Sequence, residues 1–513
     1  MDKNYNSFNL CNSWLKNKSV CICEICGCNF QMILQIVNVK KLIPVVLLLW
    51  CAKLSAQPLP KVAPVTPEQK PRLVVLTDIA PGNIEPDDME SMVRLMTYND
   101  QVEIEALITT IGWNCDPYPA EWADSLLRVI DAYEQDLPQL MKRSQQHSFL
   151  SLKEEAGKQT IGYWPSADYL RSRVAMGSRR AGIGVIGADN RSAGSDLIIR
   201  LVDEADNRPL WIAAWGGANT LAQAIWQVQH ERTPSQLKAF LHKLRVYTIT
   251  DQDMVYAMRM NRAYSSHQWM RREFADDLLF IWDESAWLSQ NELGSKSWKQ
   301  YATMIQGKGQ LGKAYPTYKW GVEGDTPSWL NILPNGLHDP DDPRQVGWAG
   351  CFRRDLCADS LTTAWTNWRQ PQKGISRQYE EKFYPDTFND FAARIQWAAT
   401  GHGNTNPVVI VNGNQSLAPL FITASSGQTI QLDASASYDP DGNALSYSWW
   451  IQSDIGNCPH DITLTDRGDH ASLTIPKNAA NAEVHLICEL RDNGQIPLVA
   501  YRRIIIRCEG KSQ

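Results

Sequence analysis

The sequence predicts an α/β protein: a mostly parallel sheet with helices on both faces, followed by an antiparallel β-sandwich. Three observations carry this. Short apolar segments such as LVVLTD (73–78), IEALITTIG (104–112) and PLWIAAWGG (209–217) alternate with segments of helical periodicity. Continuous apolar runs of this length are what a sheet buried on both faces requires. After GHGNTNP (401–407) the strands come about ten residues apart or somewhat more, separated by turn residues, which is the pattern of a sandwich.

With 513 residues the chain suits two or three domains. Lys and Arg number 50 and Asp and Glu 56, a net charge of −6. That balance lacks the basic field a nucleic-acid partner needs. The strongest apolar run, Leu42–Trp50, has nine residues, too few to span a bilayer. No membrane span is therefore expected in the mature chain. The 20 Trp suit either large aromatic cores or surfaces that stack on sugars.

In chain order, Lys40 and Lys41 before LIPVVLLLW, then CAKLSAQ, read as a signal peptide cleaved after Ala56. The usual spacing puts the real start at Met32, so residues 1–56 read as an over-extended N-terminus plus a signal. Cys21, Cys23, Cys26 and Cys28 look like soft-metal ligands, but they would be lost with that segment. The mature protein is expected to be secreted or periplasmic. Its six cysteines, Cys115, Cys351, Cys357, Cys458, Cys488 and Cys508, permit disulfides without fixing their pairing. Residues 57–70 form a Pro-rich linker.

The first domain spans 71–400. A strand over 73–78 leads to a helix over Asp88–Tyr98, where Met89, Met92, Val93 and Met96 recur at helical spacing. The strand at 104–112, a helix over Ala120–Tyr133, a short strand at Gly184–Gly187 and a helix over Ser195–Ala205 follow. Then come the strand 209–217, a helix from Asn219 to about Gln229, and strands LRVYTIT (244–250) and LLFIWDE (278–284). Ligands of such sheets gather at the carboxyl ends of the strands, so the polar clusters after these strands share one rim. The sandwich spans 406–508, with strands in VVIVNG, QTIQLDAS, LSYSWWIQ, ASLTIP, AEVHLICEL and LVAYRRIIIR.

The loop TDIAPGNIEPDD (77–88) leaves a buried strand and enters a helix carrying Asp78, Glu85, Asp87 and Asp88. Adjacent carboxylates repel one another. A helix N-terminus offsets part of that charge, and a hard divalent cation offsets more. A plain helix-capping cluster is the other reading of the same residues.

Three ordered segments decide between these readings. The loop 77–88, ALITTIGWN (106–114) and LWIAAWGGANTLAQAI (210–225) resemble the inosine–uridine-preferring nucleoside hydrolases. The resemblance implies a bound Ca²⁺. It assigns Asp78 to calcium binding and water activation, Asp88 to calcium and Asp87 to sugar hydroxyls. It assigns Asn114 to the sugar and the Asn219 carbonyl to the ion, with Asp325 in EGDTPSWL as the last ligand. GDTPSWLNILPNGLHDPDDP, VGWAGCF (346–352) and the appended sandwich resemble the secreted nucleoside-hydrolase-like family often labelled cellulose-binding. LDASASYDPDGNALSYSWW (432–450) resembles the PKD repeat, an immunoglobulin-like module.

Departures from the pattern are also present. Leu76 stands where the family has its first Asp, and the loop between Asp78 and Asp87 is longer by five residues. The family's catalytic His has no clear counterpart. Tyr247, Asp251, Asp253, His267 and His338 are the candidates for a leaving-group acid. Trp113 and Trp348, with Trp215 and Trp329, lie in or beside rim segments and suit either sugar stacking or core packing. Asp439 and Asp441 suit a turn or a cation site. The expected function is an exported hydrolase of an N-ribosyl or O-glycosidic bond that uses a calcium-bound water. The alternative is a non-catalytic binder of cellulose or plant polysaccharide that retains the metal site. The expected partner is a small molecule or an oligosaccharide.

Overall fold

The computed structural model describes residues 68–82, 84–253, 265–455, 457 and 462–509. The proposed start, the signal segment, most of the linker, Cys21, Cys23, Cys26, Cys28 and Cys458 lie outside the described residues.

The central strand β1, Arg72–Thr77, is buried at every position. Leu73 and Val75 join the core on one face of the sheet, and Val74 and Leu76 join the core on the other. Side chains alternate across a strand, so a strand buried on both faces is mainly apolar on both, and buried charges such as Arg72 and Glu105 pair with one another. The same holds for β2 (Glu103–Thr109) and β4 (Leu210–Ala214), also wholly buried. Five further strands complete the sheet: β3 (Val174–Met176), β5 (Leu244–Ile249), β6 (Leu279–Asp283), β7 (Arg353–Leu356) and β8 (Thr363–Thr366). Their order is β3-β2-β1-β4-β5-β6-β8-β7. Only β7 runs antiparallel, against β8. The order reverses between β1 and β4, and a doubly wound sheet opens its ligand crevice at such a switch point.

Two features differ from the sequence expectation. Gly184–Gly187 holds no strand; a 3₁₀ turn covers Ile183–Val185. Gly182 and Gly187 take φ of +88° and +150°, which breaks an extended chain on both sides. The neighbouring strand β3 is instead VAM, half-buried and too short to show periodicity. The 29-residue helix Gln372–Thr400 also lacks a clean apolar stripe. Its buried face carries Glu380, Asp386, Asp390 and Arg394, each with a partner.

The C-terminal domain has two facing sheets. One is β10 (Thr429–Asp433), β13 (His470–Thr474) and β12 (Thr463–Asp466); the other is β11 (Leu445–Ile451), β14 (Glu483–Asp492), β15 (Val499–Cys508) and β9 (Leu420–Ala424). All pairs are antiparallel except β15 with β9, which run parallel. VVIVNG forms no strand. It makes isolated bridges, Val408 with Tyr438 and Val411 with Asn414. Cys115, Cys351, Cys357, Cys488 and Cys508 are free thiols.

The sandwich is packed onto the first domain. Ile487, Leu498, Val499 and Tyr501 belong to the core of the α/β domain, and Val62–Gln513 forms one compact unit. The Arg503 side chain donates to the carbonyls of Leu337 at 2.6 Å and Val346 at 3.2 Å. His338, buried beside it, pairs its Nε2 with the Asn331 carbonyl at 2.8 Å. Among the described residues no helix is long and apolar enough to cross a membrane.

Burial, then the Arg503 charge, pushes the His338 imidazole down to about 4. The folded state therefore keeps it neutral where the unfolded chain, near pH 6.5, begins to protonate it. Unfolded protein binds more protons over this window, so stability falls as pH drops from 6.5 toward 4. Melting curves of the His338→Gln variant should show a flatter dependence between those limits than the parent.

Candidate metal centre

Asp78 directly follows β1 and is 3% exposed. Its carboxylate lies between the ends of the two neighbouring strands. A Cβ added at Gly112, beyond β2, would fall 1.6 Å from Asp78 Oδ2, and one at Gly216, beyond β4, 2.7 Å from Oδ1. Neither glycine has a left-handed backbone. Both are needed for space, because any side chain there would displace the carboxylate.

The helix Pro86–Met96 starts with Pro at its first position, Asp87 and Asp88 in its first turn, and Glu85 as N-cap. Pro suits that position because no N–H is needed there. Oxygens of Glu85, Asp87 and Asp88 all lie within 4.8 Å of one another. Asp88 is buried and accepts from the Thr77 hydroxyl.

Asp325 arrives from far along the chain, on a loop lashed to the same helix. The buried Arg94 guanidinium pairs with Glu323 at 2.6 Å. Glu323 N donates to Glu90 at 2.7 Å, and the Thr326 hydroxyl bonds Ser91 at 3.1 Å. Glu90, Ser91 and Arg94 share one side of the helix, so the loop runs along it and delivers Asp325 to its first turn. Ser328 accepts from the Trp215 indole at 2.7 Å and donates to the Asp325 carbonyl at 2.6 Å.

The electrostatics follow from this crowding. Burial, then the Asp87 charge, pushes Asp78 up to about 7. Burial, followed by Asp78, Asp87 and Asp88, pushes Glu85 up to about 12. Burial raises Asp87 as well. Asp88 and Asp325 are raised well above the carboxylate range by burial and by their acidic neighbours. Asp78 Oδ1, Asp87 Oδ1, Asp325 Oδ2 and Asn219 Oδ1 are buried without a hydrogen-bond partner. Buried acceptors are ordinarily satisfied, and like charges this close ordinarily take up protons. A hard divalent cation answers both conditions, since it takes six to eight oxygens at about 2.3–2.6 Å. Two ligands on opposite sides of such an ion would be separated by about 4.8 Å. Among the described residues Glu85, Asp87 and Asp88 meet that spacing and suit such an ion, while Asp78 and Asp325 border them closely enough to interact with Asp88 but do not join that group.

The remaining expected residues fall into three groups. Asn219 opens the helix Asn219–Glu231, three residues beyond Gly216, and its amide donates to the Gly182 carbonyl at 2.8 Å. Trp113 and Asn114 occupy the turn between Gly112 and Cys115. Asn114 is exposed there, and the Trp113 indole donates to the Asp251 carbonyl at 3.2 Å. Trp348 sits elsewhere. It is 6% exposed, its indole donates to the Tyr501 hydroxyl at 3.3 Å, and it lies at the domain junction, away from the carboxylates. Trp215 and Trp329 are core residues. Leu76 is buried in β1 on the face away from Leu73 and Val75.

The five acid candidates are not gathered at the carboxylates. Tyr247 is buried against Phe352. His267 bonds Thr248 at 2.8 Å and Arg271. Asp253 caps two helices through Ala218 N and His267 N, and Asp251 accepts from Ser265 at 3.0 Å. His338 lies at the junction already described.

Sequence reasoning missed Asn291 and the Arg94–Glu323 tie. Asn291, on the helix Ala286–Lys296, contacts the Gly324 position, which also faces Asp87. Nothing in the local pattern announces either.

Fold and site together define a nucleoside hydrolase-like protein. Residues 72–352 match the family model described as "Cellulose-binding Sde182, nucleoside hydrolase-like domain", and 429–508 match "Cellulose-binding protein Sde0182, C-terminal domain". A solved nucleoside hydrolase-related hypothetical protein from Saccharophagus degradans, associated with carbohydrate metabolism, is 32% identical over 86% of this chain and 100% of its own, with a TM-score of 0.72. The chain belongs to this Sde182-type family. Titin domain M7 also matches, at 11% identity over 21% of this chain and 97% of its own, with a TM-score of 0.14. No curated protein matches.

Two outcomes follow from the packing. Arg94→Met leaves Glu323 charged and buried, which should destabilise the fold by about 3–5 kcal/mol in urea titrations. Gly112→Ala should keep the fold, as judged by circular dichroism, while displacing the Asp78 carboxylate in a crystal structure.

Proposed function

We propose that this protein is an exported, calcium-dependent hydrolase of a glycosyl bond. The observation that carries the reading is Asp78, whose unpartnered Oδ1 is held between Gly112 and Gly216 among four other acidic side chains. Asp78, Asp88 and Asp325 would hold the ion, with the Asn219 carbonyl. When bound, Ca²⁺ supplies a water of lowered pKa and an anchor for vicinal sugar hydroxyls.

The chain's own groups then have distinct tasks. Asp78 accepts the proton of the attacking water at Oδ1. Asp87, in the first helical turn, accepts from sugar hydroxyls. The surrounding negative charge stabilises an oxocarbenium-like transition state. The place of Asp78 supports this assignment, because it follows β1 where the strand order reverses, and ligands of such sheets bind at that point.

Leu76 favours a second reading. It buries an apolar side chain where the related hydrolases have an acid, and the family's descriptions speak of cellulose binding. On that reading the protein holds a plant polysaccharide at the cation without cleaving it.

A metal-replete panel of nucleosides and plant-polysaccharide fragments, scored for both cleavage and binding, separates the two. Turnover that vanishes in Asp78→Ala supports the hydrolase; binding without turnover supports the second reading. Calcium should also raise the melting temperature, because the ion binds the folded site alone, and Asp88→Asn should abolish that rise.

A further inference from the structure

We infer that the junction between the two domains holds a second ligand site, which takes a neutral saccharide unit. The inference rests on the carbohydrate reading above, but uses none of the residues of the carboxylate centre. A cavity of about 270 Å³ opens there. That is near the lower end for small-molecule sites and far beyond the space of a single water. Both domains build it. Tyr98, Asp100 and the helix Gln372–Thr400 supply one side, while Leu417, Val499 and Ala500 of the sandwich supply the other.

Its floor is polar and organised. Asp390 accepts from the Tyr98 hydroxyl at 2.6 Å, Arg394 Nε at 3.0 Å and Asn406 Nδ2 at 2.8 Å. Arg394 Nη1 also reaches Asp100 at 2.7 Å. The guanidinium is clasped between the Tyr98 and Trp397 rings, 4.3 Å and 4.9 Å from their centroids. Asn335 lines the same cavity, and its Nδ2 is buried with no partner. Pro334, Leu417 and Ala500, all half-buried, form an apolar wall.

This chemistry selects among ligands. Two carboxylates around one guanidinium disfavour phosphates and acidic sugars. The wedged Arg394 keeps out a cation. Each carboxylate oxygen retains lone pairs for hydroxyl donors, and Asn335 has an N–H to give. An uncharged ring with hydroxyls at its edge and C–H groups on its face satisfies the floor and the wall together.

The test is titration calorimetry of the full chain, calcium-replete, with D-glucose, cellobiose and xylobiose. At least one sugar should bind saturably. Ala500→Phe, which plugs the cavity, and Asn335→Ala, which removes the donor, should each weaken it about tenfold or more. Leu361→Ala, at an exposed position outside the cavity, should leave the affinity within about twofold. If Ala500→Phe does not fold, Asn335→Ala and density for cellobiose in a soaked crystal decide. No saturable heat with any of the three, or affinity that survives both Ala500→Phe and Asn335→Ala, would overturn the site. A chain that binds sugar here without any calcium response would instead refute the reading of the carboxylate centre.

Discussion

Holding Asp78, Glu85, Asp87, Asp88 and Asp325 in one nearly dry hollow is unfavourable at neutral pH, because burial and mutual repulsion both oppose their charge. The surrounding structure maintains the arrangement regardless. Gly112 and Gly216 make room for Asp78, the N-terminus of the helix Pro86–Met96 faces Asp87 and Asp88, and the Arg94–Glu323 pair fixes the loop that carries Asp325. The cation proposed here would account for a cluster maintained against repulsion by that many separate devices. It sits where the strand order reverses, which is where the fold places a ligand.

The second domain has a structural role at that distance. Its β14 and β15 complete the core of the first domain through Ile487, Val499 and Tyr501. Trp348 and His338, both on the first domain, pack at this junction. The sandwich is therefore part of one compact unit with the sheet.

Much of this was legible from the chain itself. Strands β1 and β4 announced themselves as apolar runs, and β2 as an apolar run crossed by Glu105, since a doubly covered sheet leaves no face to water. Asp78, Asp87 and Asp88 stood out because they share one short loop. Asp325 was reachable only by resemblance, its neighbour in space being almost 240 residues away in sequence. Asn291 gave no signal, because a single Asn on a helix has no pattern to mark it. The helix Gln372–Thr400 was hidden by its buried ion pairs, which interrupt the apolar stripe that periodicity detects. The parallel pairing of β9 with β15 was hidden for a different reason: strand direction is a property of the connections, not of the strand's own residues.

The most direct examination of the central claim is a crystal grown in calcium and measured for anomalous scattering. The account predicts one strong peak at the end of β1, with oxygens of Asp78, Asp88 and Asp325 at about 2.3–2.6 Å. An empty hollow under those conditions, or calcium seated elsewhere with these three side chains turned apart, would contradict it.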